Sequence, residues 1–242
     1  MKAPRAVAAL AATALVTLLA SGCQTTQALS AKIGRQLGRQ SAVAGTVGIG
    51  AASREVRILR AVLVPGSPAA VALELRNERS HALVGVPVLV DVRDAKGASV
   101  YSNDTKGIDS SLQQLALLAP RATAWWVDNE VLASGGVPST LTARVGAAMA
   151  SAAAARPLLA AHGVSASASF PGPHVDATLV NSSAVAASRV AVYAVALRNG
   201  HVIGAGRGIA AAVAAHTSAP VEVAMTGAVS GATVSLTLAP GR

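Results

Sequence analysis

The chain has 242 residues, 52% hydrophobic, 13% charged and 2% aromatic, with a formal charge of +9 and one cysteine. That length and apolar content exclude a disordered tail and leave room for one large domain or two small ones. The apolar residues are mostly Ala and Val, which suit pleated strands better than helical bundles, and a lone cysteine excludes an internal disulfide.

Met1-Lys2-Ala3-Pro4-Arg5 forms a short positive leader, and Ala6 to Ala20 follow as a charge-free apolar run of 15 residues. A transmembrane helix needs about 20 such residues, whereas the central part of a secretory signal is of this shorter kind. Leu19-Ala20-Ser21-Gly22-Cys23 comes next and resembles the lipobox of bacterial lipoprotein precursors. The resemblance implies a signal peptide over residues 1–22, cleavage before Cys23, and diacylglycerol on its sulfur. Each buried CH₂ contributes about 0.8 kcal/mol, so two or three acyl chains would hold the protein on a membrane. Gln24 resembles the residue of Gram-negative lipoproteins released to the outer membrane. In a Gram-positive source the same anchor implies the cell surface.

Residues 23–52 read as a lipidated tether rich in Gln, Thr, Ser, Ala and Gly. Within it Leu29, Ile33 and Leu37 recur every four residues beside Lys32, Arg35 and Arg39, the pattern of a short basic amphipathic helix. Gly34 and Gly38 oppose that helix at about 1 kcal/mol each. Beyond the tether the arginines are scattered singly, without aromatic interleaving, so they read as solvated strand faces, and nucleic acid is not expected as a partner.

From residue 54 onward the period becomes two. Val71, Leu73 and Leu75, then Val86, Val88, Val90 and Val92, alternate with other residues, and Asp94-Ala95-Lys96-Gly97 supplies a hairpin turn. The phrase returns: Ala72 to Asn77, a polar loop and Val86 to Val92 match Ala177 to Asn181, a loop and Val190 to Leu197, followed by Asn199-Gly200. Closing strands follow in each copy, Ala122 to Val127 with Leu141 to Val145 and Pro220 to Met225 with Thr233 to Leu238. The expected organisation is all-β: two tandem Ig-like antiparallel β-sandwiches over 53–146 and 163–242, joined by an alanine-rich, partly helical linker over 147–162. One continuous sandwich is the alternative.

A strand ending in Asn, a polar loop, a Val-rich strand, an Asp-x-x-Gly or Asn-Gly turn and a final hairpin together resemble the FxLYD-type and related immunoglobulin-like domains of bacterial envelope lipoproteins. Val90-Asp91-Val92-Arg93-Asp94 and Val192-Tyr193-Ala194-Val195 stand where that family has its naming string. The resemblance implies sandwiches that present surfaces, with no catalytic residues.

Chemistry-bearing patterns are sparse. His81, His162, His174, His201 and His216 lack the spacing of a metal-binding helix face. Gly48 to Ser53 and Gly204 to Gly208 do not sit in a strand–helix unit that could cradle phosphate. Asn103 to Asp109 lacks the closing Glu of a calcium loop, and no Gly-x-Ser-x-Gly elbow is present. No cofactor, metal or enzymatic activity is expected. Neighbouring residues on a strand face opposite ways, and analogy with Val221, Val223 and Met225 places Trp125 and Val127 inward and Trp126 outward. An outward Trp126 either anchors a partner, packs on the other domain, or is covered by its own linker or the alanine-rich segment, and it is the candidate partner contact. The expected function is a non-catalytic cell-envelope interaction or scaffolding module, membrane-bound through Cys23 and engaging another envelope protein. The alternative is an accessory lipoprotein binding a small ligand or metal between its two domains.

Overall fold

The alternating valines form strands, and the computed structural model is all-β, with 62% of the described residues in strands. It describes residues 49, 51–105, 107–148 and 156–241. The signal peptide, Cys23, Gln24 and the tether pattern at Leu29, Ile33 and Leu37 lie outside the described residues, as does 149–155 of the linker. The chain divides into Met1–Gly45 and Thr46–Arg242, and every described residue belongs to the second unit.

Within that unit one six-strand plan occurs twice. In the first half β1 (Val56–Val64), β2 (Ala69–Asn77) and β6 (Thr123–Val131) form one antiparallel sheet. Facing it, β3 (Leu83–Arg93) is flanked on one edge by β7 (Thr140–Val145) and on the other by β4 (Ser99–Ser102) and β5 (Gln114–Leu118). In the second half β8 (Leu159–Ser167), β9 (His174–Asn181) and β12 (Ser218–Gly227) repeat the first arrangement, while β13 (Thr233–Ala239), β10 (Ala187–Arg198) and β11 (His201–Val213) repeat the second.

These last six strands form one continuous sheet folded over at β12, which pairs with β9 along Ser218–Ala224 and with β11 along Met225–Gly227. The bend needs close backbone approach. A Cβ on Gly206 would lie 2.2 Å from the Ala224 carbonyl oxygen, and one on Gly204 would lie 2.4 Å from that of Ala228, so the glycine-rich stretch of β11 is a corner.

The register of the repeat is fixed by buried asparagines. Asn77 Nδ2 donates to the carbonyls of His81, Leu118 and Ala119, while its Oδ1 accepts from the Arg79 N–H. Asn181 Nδ2 donates to Val185 and Val213, and its Oδ1 accepts from the Ser183 N–H. Both side chains are buried, and each ties the end of one sheet to the loop and strand of the other. Arg121 and His216, each at φ 55, make the matching corner before β6 and β12. The asparagines are 104 residues apart and these corners 95, so the first half carries a nine-residue excess. It is the excursion between β4 and β5, replaced in the second half by the unbroken β11.

The cores follow strand parity. Val190, Val192, Ala194 and Ala196 of β10 pack with Val175, Leu179, Val221 and Val223 inside the second sandwich. The intervening Ala191, Tyr193 and Val195 belong instead to the core built on Val71, Leu73, Trp126 and Val90 of the first half. β10 is therefore covered on both faces.

Leu159 to His162, expected in a partly helical linker, are strand residues of β8 paired with β9 from Asn181 to Thr178. The waiting edge of β9 outweighs the helix propensity of alanine, which is only a weak local preference. Gly163 sits at φ 60 in the irregularity between His162 and Ser165.

Asn77→Ala would leave three carbonyl oxygens without their side-chain donor. An unsatisfied buried group costs about 1–3 kcal/mol, so the variant is expected to lose about 3 kcal/mol in urea unfolding, and an unchanged midpoint would show that water replaces the amide.

Candidate functional site

The break between β4 and β5 organises the junction of the halves. Asn103 fills the gap with its own amide: Oδ1 accepts from the Val90 N–H at 2.8 Å, and Nδ2 donates to the carbonyls of Val88 at 3.0 Å and Leu112 at 2.6 Å. Released from the ladder, the chain makes a 3₁₀ turn, Ser110–Leu112, capped by Asp109. Asp109 Oδ1 accepts from the Ser111 N–H at 2.9 Å and the Ser111 hydroxyl at 2.8 Å.

That turn is the docking point for the second half. The Ser111 carbonyl accepts from Trp126 Nε1 at 2.9 Å and from the Tyr193 hydroxyl at 2.8 Å, binding a side chain from each half to one oxygen. Arg207 of β11 donates to the Ser111 hydroxyl at 2.7 Å and to Glu130 at 2.5 Å, and lies 3.8 Å from Asp109. Arg189 of β10 donates to Asp109 Oδ2 at 2.5 Å. Arg207, expected on a solvated face, has a side chain only 6% exposed, because the excursion folds over it and supplies its counter-charges.

Burial works to raise the Asp109 pKa, but the two Ser111 hydrogen bonds, with Arg207 and Arg189, hold its carboxyl below the ordinary range. Asp128 behaves oppositely. Burial pushes its carboxyl up despite hydrogen bonds from the Tyr101 hydroxyl at 2.5 Å and the Glu130 N–H at 3.0 Å. The Tyr101 phenol is itself pushed up by burial and by the charge of Asp128.

Beside this network lies a groove of about 240 Å³ between β5 and the excursion on one side and β10, β11 and the end of β13 on the other. Its walls include Ala116, Ala191, Ile209 and Ala239, and its polar groups include Asp109, Ser110, Gln114 and Arg189. Among the described residues no group of three or more His, Cys, Asp or Glu could hold a metal ion, and no helix is long and apolar enough to cross a membrane.

A second surface gathers at one end of the strands. The turn 65–68 after β1 and the loop 132–139 after β6 line one groove there, and β12 bonds both to that turn and to the turn 168–173 after β8. Thr226 Oγ1 donates to the Pro68 carbonyl, Asn129 Nδ2 to that of Ala224, and the Met225 N–H to that of Pro173. Leu132 is 72% exposed, Val137 80% and Phe170 97%. Ala52 bridges Gly146 at the opposite end. The nine residues of β1 separate the two ends by about 30 Å.

Trp126, expected outward, is fully buried, and Trp125 is also buried. Trp126 pairs with Leu73 as Val221 pairs with Ala177, so Trp126, not Trp125, is the counterpart of Val221. The analogy was one residue out, and such a slip moves every side chain to the other face. Trp125 does face away from its own sandwich, but Arg60 covers it, with its guanidinium 4.9 Å from the ring centroid, and the Trp125 N–H donates to Thr237 Oγ1. Trp126 consequently offers no partner surface. Phe170 escaped the sequence reading, although Ser169-Phe170-Pro171-Gly172-Pro173 carries turn chemistry around an aromatic residue.

Compared with known proteins, the chain matches no protein-family model and no curated sequence.

The raised Asp128 carboxyl implies a pH dependence. Its folded value lies above the unfolded one of about 3.9, so its contribution is complete below that value and is lost as pH rises through the folded one. Asp128→Asn keeps an acceptor for Tyr101 but cannot ionise. From about pH 4 to about pH 7 its Tm is expected to gain on that of the wild type; parallel Tm curves would show that Asp128 does not titrate between the two states.

Proposed function

We propose that this protein is an exported bacterial lipoprotein, anchored through lipid on Cys23, whose paired Ig-like β-sandwiches act as a non-catalytic interaction module for another cell-envelope protein. The anchor reading is supported by the charge-free run Ala6 to Ala20 ending at the chain's only cysteine. It implies the outer membrane in a Gram-negative source and the cell surface in a Gram-positive one.

The observation that carries the interaction reading is the placement of Phe170. The chain has five aromatic residues. Trp125, Trp126 and Tyr193 are buried, Tyr101 is half-buried, and the single phenylalanine is 97% exposed on a turn. Leu132 and Val137 are likewise exposed on the loop after β6. Aromatic anchors of this kind supply much of the binding energy at protein interfaces. Ala52, the last residue of the expected tether, lies at the opposite end, so an anchor leading to it would leave the loop end free to meet a partner.

Cys23→Ser is expected to abolish labelling by radioactive palmitate and leave a precursor of unprocessed size, and continued labelling would refute the anchor. Crosslinking in intact cells is expected to capture a discrete envelope protein with the wild type and to lose it with Phe170→Ser. Capture undiminished in the variant would exclude the loop end as the contact, and no specific capture by the wild type would refute the interaction reading.

A further inference from the structure

The repeat exposes one position where the halves differ against their backbone. Gly85 and Arg189 are 104 residues apart, the same interval as Asn77 and Asn181, and they are the matching residues of β3 and β10. Both have positive φ, 59° for Gly85 and 43° for Arg189. Glycine takes that conformation freely, whereas an L side chain strains against the adjacent carbonyl. The first half has the residue its backbone favours; the second carries an arginine. Strain retained at one residue beside a cavity is characteristic of sites that position a functional group.

Both residues line the junction groove. Arg189 is 64% exposed in its side chain, and among the described residues only its Nη2 meets a protein acceptor, Asp109 Oδ2. Asp109 is already engaged by both Ser111 donors and lies near Arg207 as well. Two guanidinium groups thus share one carboxylate at the groove, and Arg189 retains donors for a second anion. The apolar lining includes Gly85, Ala116, Ala191, Ile209 and Ala239, and the volume of about 240 Å³ leaves room only for slim groups. Gln114 and Ser110 add an amide and a hydroxyl able to pair with a peptide group.

We infer that the groove binds the carboxyl terminus of a short peptide with small apolar side chains, with Arg189 taking the carboxylate and Gln114 and Ser110 the last peptide group. A volume of about 240 Å³ lies below the range of pockets for drug-sized molecules and suits a dipeptide end. Carboxylate recognition by guanidinium supplies charge-assisted hydrogen bonds, and the small volume excludes bulky side chains.

The test is calorimetric titration of the full chain with acetyl-Ala-Ala and with its carboxamide, alongside thermal melting. The acid is expected to bind saturably and the amide at least about tenfold more weakly, because one charge-assisted contact is lost. Arg189→Gly is expected to lose acid binding by a similar factor without a lower Tm, since glycine relieves the positive φ while the ion pair is given up. No saturable binding of the acid, equal binding of acid and amide, or undiminished binding by Arg189→Gly would each overturn the assignment. A Tm lowered by several degrees in Arg189→Gly would also overturn it, by showing that Arg189 serves to join the halves.

Discussion

The structure of Thr46–Arg242 depends on the burial of both faces of β10. Because a strand sends alternate side chains to opposite sides, Val190, Val192, Ala194 and Ala196 complete one core while Ala191, Tyr193 and Val195 complete the other. Neither face can turn to water without exposing a row of apolar side chains. The same constraint accounts for the composition: with layers on both sides, alanine and valine fill the space that larger residues would overfill.

Sharing a core creates a polar problem at the junction. The nine-residue excursion interrupts the β3 ladder, and its free backbone groups must be satisfied. Asn103 does this on the strand side, while the Ser111 carbonyl receives Trp126 and Tyr193 on the other. Arg207 can be buried because Ser111, Glu130 and Asp109 surround it. Removing one member of such a buried set leaves its partners uncompensated, so the network fixes which surfaces meet as well as holding them together. The groove exists because the excursion stands off β10 at this junction.

The loop end follows a different rule. Its turns 65–68 and 168–173 are each hydrogen-bonded to β12 through a backbone carbonyl, yet Leu132, Val137 and Phe170 remain exposed. Isolated exposed apolar residues are ordinary. The single phenylalanine, exposed in a chain with so few aromatic residues, is the less ordinary case.

The sequence by itself determined the all-β class, the duplicated strand plan and the strand parity of the valine runs, because period-two alternation and turn residues are local properties of the chain. It also held the signs of the loop-end turn, in a phenylalanine set between serine and Pro-Gly-Pro. Tertiary structure decided which tryptophan enters the first core, since that depends on a one-residue register set by the asparagine and positive-φ corners. It likewise decided that Leu159 to His162 pair as a strand, that Arg207 is buried, and that Gly85 and Arg189 meet in one groove. Each of these joins groups distant in the chain, whose contacts arise only when the two halves pack face to face.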